Sequence, residues 1–230
     1  MSTQADYITA IDSLVGGTVP LVEADKIMAI GMGMLRYSKD KPRIAVQDIT
    51  GDGGFDYAIS TLTAWADDLS TIRQVEYPVD DDDESADILD EDQWAIYEKP
   101  AGKQLRFLDE KPTAAESFRV THTALHTCTV SACTVGAFDE KAVQALAAAI
   151  FCDMIATYYA QNKDSTIDAD SVDHKSQAAE YSARANKYRK MYYSHIGVKE
   201  GSPPPASHTQ DQDVSYPGGT DRLTHSRRFR

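Results

Sequence analysis

Two histidines and two cysteines follow one another at a spacing that can hold a metal ion or activate a thiol. They are His122, His126, Cys128 and Cys133. Imidazole and thiolate groups are ligands that zinc prefers, and in an extended strand the first three would share one face. Their spacing matches no standard zinc pattern, however. We therefore favour the alternative, a β edge that runs into a loop rich in Thr, Ser and Cys.

Clustered acids form a second candidate ligand set. The run at 80–84 consists of four aspartates and a glutamate and can attract Ca²⁺ or Mg²⁺. Calcium loops interleave their ligands with glycine and defined turns, whereas these acids are contiguous, so a solvated loop is the favoured interpretation. Asp48, Asp52 and Asp56 surround a glycine-rich turn and are ordinary residues for a β-hairpin.

Common catalytic motifs are missing from the sequence, which contains no G-x-S-x-G, Walker A or H-E-x-x-H pattern. The Gly-Met-Gly at 31–33 lies inside an apolar helical stretch, so it indicates close helix packing rather than a phosphate loop. No local signature supports Cys128 or Cys152 as a thiol paired with histidine. We expect no catalytic residue, cofactor or metal, and three reduced cysteines, two in a loop and one in a helix core.

The formal net charge is −13, and residues 80–92 hold nine acids and no base. A surface this acidic repels the phosphate backbone, which argues against ordinary nucleic-acid binding. It does not argue against DNA nearby, because a conduit through which DNA must slide should be negative. The N-terminus lacks a charged-then-apolar leader and the longest apolar run, 145–152, is too short to cross a bilayer. We expect synthesis in the cytoplasm and no membrane partner.

Apolar residues recur at three- and four-residue steps over 139–161 and 171–197, which predicts two amphipathic helices. The linker between them is short, so the helices should pack as an antiparallel hairpin. Two more helices are expected in the first forty residues, one ended by Gly16 and a second that opens near Pro20 and closes at Pro42.

Alternating patterns separated by turn residues predict strands between these helices. The predicted strands are 43–49, 55–60, 72–79, 94–98, 104–108 and 117–124. The sequence therefore predicts an α+β fold. Helices in 1–42 and the hairpin at 138–197 form one helical bundle, a small antiparallel β module at 43–127 is inserted between them, and 198–230 is a tail that is disordered in the free chain.

The tail ends in a charged and aromatic tip. Its members are Tyr216, Arg222, Arg227, Arg228, Phe229 and Arg230. Such a tip can serve solubility alone, or it can be a docking arm that becomes ordered on a partner, with arginines making bidentate contacts and aromatics anchoring it. Both interpretations stay open at this point.

Short segments in a fixed order resemble the head–tail connector (adaptor) proteins of tailed bacteriophages. In the C-terminal helix pair they are Tyr-Tyr-Ala-Gln at 158–161, Asp-Ser-Thr at 164–166, Asp-Ser-Val-Asp-His-Lys-Ser at 170–176 and Glu-Tyr at 180–181. Upstream they are Met-Leu-Arg-Tyr-Ser at 34–38, Asp-Ile-Thr-Gly-Asp-Gly at 48–53, Val-Glu-Tyr-Pro at 75–78, Trp-Ala-Ile-Tyr at 94–97, Leu-Arg-Phe-Leu at 105–108 and Arg-Val-Thr-His-Thr-Ala at 119–124, with His126. The resemblance covers roughly 20–197 and leaves out the loop 127–137 and the tail.

The resemblance implies a structural protein of the virion neck. Its copies would form a homo-oligomeric ring, usually a dodecamer, that binds the portal protein, carries the next neck or tail component and lets genomic double-stranded DNA pass through its lumen without specific binding. Such proteins have no active site to carry over. We therefore interpret Ser171 and Asp173 as helix-capping residues. Ser171 can cap the following helix, and the negative charge of Asp173 interacts favourably with the positive N-terminal end of that helix.

We expect a head-to-tail adaptor, with a stopper or tail-completion neck protein as the alternative from the same region. The alternatives of other classes are a small metal- or thiol-dependent enzyme that uses His122, His126, Cys128 and Cys133, and a Ca²⁺-responsive module that uses the acidic loop. The adaptor would be located at the head–tail junction of the virion after synthesis in the host cytoplasm.

Overall fold

The computed structural model describes residues 2–16, 20–79, 86–100, 102–161 and 174–198. Within these ranges the chain forms four α-helices and six β-strands, which confirms the α+β class. The helices are α1 (Gln4–Val15), α2 (Glu23–Asp40), α3 (Glu140–Gln161) and α4 (His174–Ile196). The strands are β1 (Arg43–Thr50), β2 (Asp56–Ala58), β3 (Ile72–Glu76), β4 (Trp94–Lys99), β5 (Gly102–Phe107) and β6 (Ser117–Ala124).

A capping box starts α1. The amide of Asp6 donates to the Thr3 hydroxyl, and the Asp6 carboxylate accepts from the Thr3 amide at 2.7 Å, so two free donors of the first turn are satisfied. Tyr7, Ile11 and Val15 recur every four residues and are buried. The helix stops at Gly16, whose φ of 65° is one that glycine adopts readily.

Helix α2 begins three residues later than predicted, at Glu23 rather than near Pro20. The reason is local, because the Asp25 carboxylate accepts a hydrogen bond from the Val22 amide at 2.9 Å and so fixes the turn into the helix there. Its inner face packs on α3, with the Cα of Ala147 only 3.6 Å from where a Cβ on Gly33 would lie. Close helix packing is therefore confirmed at Gly33, while the space beside Gly31 is open.

Helix α3 is the centre of the bundle, and α1, α2 and α4 all pack on it. The pair α3–α4 is antiparallel as predicted. Tyr159 stacks on Tyr181 at 5.9 Å between ring centroids, and His195 reaches Asp139 at the opposite end. Among the described helices α3 is long and apolar enough, by length and composition, to cross a membrane, a test that core helices of soluble proteins also pass. Its packing against three helices accounts for this composition.

The strands form two three-stranded antiparallel sheets, ordered β1-β6-β3 and β2-β5-β4. Strand β6 has the predicted limits, whereas β2 is shorter than predicted because a 3₁₀ turn at Ile59–Thr61 follows it. The sheets share a core that includes edge-to-face contacts of Phe107 with Tyr57 and Phe118. This core is separate from the helical core, which is built on α3.

The chain enters and leaves the β module at adjacent points, because Arg43 at the start of β1 pairs with Ala124 at the end of β6. The loop that follows β6 returns to the helical bundle and holds its N-terminus. The amide of Gln4 donates to the carbonyl of Thr129 at 3.0 Å, and the amide of Cys133 donates to the carbonyl of Ser2 at 2.8 Å. This loop therefore belongs to the helical core.

Candidate functional site

The structure does not gather the histidine and cysteine set into one site. His122 points into the β module, where its Nε2 lies 3.0 Å from the carbonyl oxygen of Thr63. Strand β6 ends at Ala124, so the alternation that would place His126 on the same face is not continued. Across the described residues, no group of three or more His, Cys, Asp or Glu side chains could hold a metal ion.

Cys128 and Cys133 form a disulfide across an isolated β-bridge, so the prediction that they are reduced thiols was wrong. The sequence-based argument counted cysteines and overlooked that a tight turn brings these two together, with their Cα atoms 3.9 Å apart. Cys152 is a free, buried cysteine of the helical core, as predicted. Burial raises its pKa to about 11, so it stays a protonated thiol near neutral pH.

His126 occupies a different environment, at the junction of the β module and the bundle. Its Nε2 lies 3.1 Å from the Lys41 carbonyl oxygen, and its Nδ1 lies 3.2 Å from Thr134 Oγ1. The ring packs on Tyr37, with 4.6 Å between centroids. Burial lowers the pKa of His126, hydrogen bonds to the carbonyls of Lys41 and Thr134 oppose this, and the charges of Arg43 and Lys41 lower it further.

Asp139 accepts hydrogen bonds from three side chains of the bundle. Its carboxylate accepts from the Tyr37 hydroxyl at 2.7 Å, from Lys41 Nζ at 2.6 Å and from His195 Nε2 at 3.0 Å. Burial by itself would raise the pKa of Asp139, but these hydrogen bonds outweigh it and hold the pKa below its ordinary value. The residue thus joins the end of α2, the start of α3 and the end of α4.

A second buried carboxylate reinforces the same junction. Asp40 accepts from the Tyr192 hydroxyl at 2.8 Å and from Arg36 Nε at 3.0 Å. Burial and the bond to Asp40 raise the pKa of Tyr192, so it donates as a neutral phenol. The two carboxylates fix the geometry of the helix ends, since the buried hydroxyls of Tyr37 and Tyr192 would otherwise lack an acceptor.

Helix α4 also fastens α1. Arg184 Nη1 donates to the carbonyl oxygen of Val15 at 2.7 Å, and the Tyr188 hydroxyl donates to that of Leu14 at 2.6 Å. The last carbonyls of a helix lack partners within the helix, so α4 satisfies them and places a positive charge at the negative end of α1.

The acids of the β module have separate partners rather than a shared ligand. Asp48 pairs with Arg119 at 2.7 Å, and Asp56 pairs with Lys99 at 2.8 Å. Asp52 accepts from the amide of Gly54 at 2.8 Å and so stabilises the predicted glycine turn. The run at 80–84 lies outside the described residues. The neighbouring acids Asp87, Asp90, Glu91 and Asp92 are exposed.

No protein-family model and no curated protein match the chain. One solved structure that it matches is described as the neck of an empty GTA particle computed with C6 symmetry. That match covers 77% of this chain and 87% of the other, with 16% sequence identity and a TM-score of 0.29. A likeness this weak carries no conclusion about fold or function.

Other predicted residues lie outside the described part of the chain. These are the capping residues Ser171 and Asp173 and the tail residues Tyr216, Arg222, Arg227, Arg228, Phe229 and Arg230.

Sequence reasoning also missed an uncharged outer face on α2 and the buried network around Asp139. The first has a sequence signal, because α2 is apolar on more than one side. The second has none, because the partners of Asp139 are distant in sequence.

Proposed function

We propose that this chain is a structural, non-catalytic protein of a virion neck, a head-to-tail adaptor whose copies form a ring beneath the portal. The order of its elements supports the proposal: two helices, an inserted β module and an antiparallel helix pair follow the arrangement on which the resemblance to connector proteins rests. A non-catalytic role is supported by the disulfide between two candidate nucleophiles and by the separate environments of His122 and His126.

The observation that carries the proposal is the segregation of charge. Residues 43–125 contain 19 acids and seven bases, whereas the rest of the chain contains 17 acids and 16 bases. Repeated around a ring, such a module would create a continuous band of negative potential. A negative band repels the phosphate backbone and lets DNA slide past without binding.

The direct test is to tag the chain, capture it from cells that produce the virus and measure the complex by native mass spectrometry. The expected result is a ring, a dodecamer if it follows the connector proteins it resembles, bound to a portal protein. A ring that binds another neck protein but no portal would favour a stopper or tail-completion protein. A metal-bearing monomer would overturn the structural proposal.

The C-terminal tip is the part that we propose fastens the ring to its neighbour. Arginines such as Arg227 and Arg228 can make bidentate contacts with carboxylates, and Phe229 can anchor the arm in an apolar pocket. Deleting 216–230 should leave the melting temperature unchanged and weaken capture of the partner. If partner affinity and assembly both survive this deletion, the tip serves solubility alone.

A further inference from the structure

The outer face of α2, directed away from α3, is apolar over three turns. Its exposed members are Ala24, Ile27, Met28, Gly31, Met32 and Leu35. Met28, Met32 and Leu35 keep 53%, 51% and 55% of their surface accessible to solvent. Since the opposite face of α2 is also apolar and packs on α3, the helix has the pattern of one that is covered on both sides.

The charged residues within this stretch of α2 are turned away from the outer face and paired inside the molecule. Lys26 Nζ reaches Asp12 at 2.5 Å, Asp25 accepts from the Val22 amide, and Arg36 reaches Asp40 at 3.0 Å. In a chain of net charge −13, an outer helix face without charge indicates a surface that is buried in an assembly.

A complementary surface lies on α4. The α4 groove is shallow, with a volume of about 700 Å³. It is lined by Ala183, Asn186, Lys187, Lys190, Met191 and Ser194. These residues recur every three or four positions, so they form one helix face, and Met191 is 49% exposed. Methionines adapt their shape to a partner, which suits a helix laid along this groove.

We infer that the outer face of α2 in one copy of the chain packs into the α4 groove of the next copy. This inference rests on the proposed ring and names its subunit interface. Ala24 to Leu35 and Ala183 to Ser194 each cover eleven helical steps, about 16 Å, so the two surfaces match in length. Two exposed charges flank the α2 face, Glu23 at one end and Lys39 beyond the other, and Glu23 complements the exposed Lys190 of the groove.

The placement of the two surfaces suits a contact that repeats. On α3, Ala147 faces α2, whereas Ala156 lines a cleft with Ala178 and Ser182 of α4. The helices α2 and α4 therefore contact different faces of α3, and they meet each other near their C-terminal ends, where Tyr192 reaches Asp40. Each copy therefore presents two different surfaces, and contacts between unlike surfaces repeat from copy to copy and form a ring when the rotation between copies closes.

The first test measures self-association of the full chain by sedimentation equilibrium at increasing concentration. Met32→Lys and Leu35→Lys place an ammonium against the lysines of the groove, where it has no partner of opposite charge, so each should weaken the association constant roughly 100-fold or more. The matched control is Val130→Lys, because Val130 is 81% exposed in a loop and lines neither surface. It should associate like the unaltered chain.

The second test is cross-linking with a short bismaleimide. Met32→Cys and Lys187→Cys lie near the centres of the two surfaces, so they meet whichever way the helices run. The double variant should give a ladder of oligomers, a mixture of the single variants should give dimers, and each single variant alone should stay uncross-linked. Native cysteines do not interfere, because Cys128 and Cys133 are bonded and Cys152 is buried.

The outcomes separate the interface from the ring. Self-association that survives Met32→Lys and Leu35→Lys, or a Met32→Cys variant that links to itself, overturns the pairing of α2 with α4 and leaves the ring standing. An unaltered chain that stays monomeric and a double variant that gives no ladder overturn the interface. Capture of the chain from infected cells as a monomer on its partner would then overturn the ring as well.

Discussion

At the scale of single residues, Asp139 decides how the helices meet. One carboxylate serves a phenol, an ammonium and an imidazole that come from α2, the residue after α2, and α4. Because the carboxylate and the Tyr37 hydroxyl are buried, loss of the carboxylate would leave that hydroxyl without an acceptor and would remove the charge that holds Lys41 and His195.

We expect Asp139→Asn to lower the free energy of unfolding by about 1–3 kcal/mol, because the amide keeps the size of the side chain but removes the charge that Lys41 and His195 contact. Denaturant unfolding followed by circular dichroism measures the change. Asp109→Asn is the control, since Asp109 is exposed and its replacement should change stability by less than about 0.5 kcal/mol. Equal effects of both substitutions would contradict this role.

His126 makes the stability of the fold depend on pH. Burial lowers its pKa in the folded chain below the ordinary 6.5, so the unfolded chain binds a proton that the folded chain does not. Stability from this residue is therefore complete above pH 6.5 and is lost as the pH falls from there toward the folded pKa.

The unaltered chain should therefore lose more free energy of unfolding between about pH 7.5 and about pH 5.5 than a His126→Asn variant does. Denaturant titrations of both proteins at the two pH values give the comparison, in which titrating carboxylates cancel. Equal losses of unfolding free energy in the two proteins would show that His126 titrates alike in the folded and unfolded chain.

Residue types and spacing predicted the glycine turn and the buried Cys152, because both follow from neighbours in the sequence. The partners of Asp139 could not be predicted in this way, since Tyr37, Lys41 and His195 come from remote parts of the chain. The disulfide was missed for a related reason: whether Cys128 and Cys133 meet depends on the turn between them, and the loop pattern alone did not reveal it.

At the scale of elements, the glycines show how closely segments approach. A Cβ on Gly51 would lie 2.6 Å from the carbonyl of Pro112 and closer still to the carbonyl oxygen of Thr113. Gly51→Ala should therefore displace backbone and cost about 1–3 kcal/mol. At Gly31 the space is open, so Gly31→Ala should raise stability by up to about 1 kcal/mol. Thermal unfolding should show a lower melting temperature for Gly51→Ala and a higher one for Gly31→Ala.

Elements with a clear period were predictable to within a few residues, as α3, α4 and β6 show. Boundaries set by local hydrogen bonds were less predictable. The start of α2 depends on the bond from the Val22 amide to Asp25, and the end of β2 depends on the 3₁₀ turn at Ile59–Thr61. Neither feature contributes to a hydrophobic pattern.

At the scale of the whole molecule, the helical core and the β core are separate clusters. The chain passes between them at Arg43 and Ala124, which are paired neighbours on adjacent strands. Replacing 44–123 by a short Gly-Ser linker should therefore leave the four helices folded, because a gap of about 5 Å is all that the linker must bridge.

Circular dichroism measures the helix content of the chain that lacks 44–123, and thermal unfolding measures its cooperativity. Retained ellipticity per helical residue with a cooperative transition is expected, because Asp139, Asp40 and the core around α3 are all kept. A helical chain without a cooperative transition would show that the β module is required for packing of the bundle.

The overall class followed from the sequence, because helical and alternating periods occupy different stretches. The division of six strands between two sheets could not be predicted. Partners such as β1 and β6 lie far apart in the chain, and many pairings satisfy the same alternating pattern. The uneven distribution of charge can be counted in the sequence, whereas the fold was needed to show that the outer residues of α2 are left exposed.

The hydrogen bonds that hold the N-terminus also determine the order in which the chain can fold during its synthesis. Ser2 and Gln4 are held by Cys133 and Thr129, and α1 and α2 rest on α3. A ribosome adding about 5–20 residues per second releases the first forty residues about 10–30 s before α4 is complete. The β module can mature on the nascent chain meanwhile, because its strands pair among themselves. The N-terminal helices cannot, so the helical bundle is complete only after the last helix has emerged.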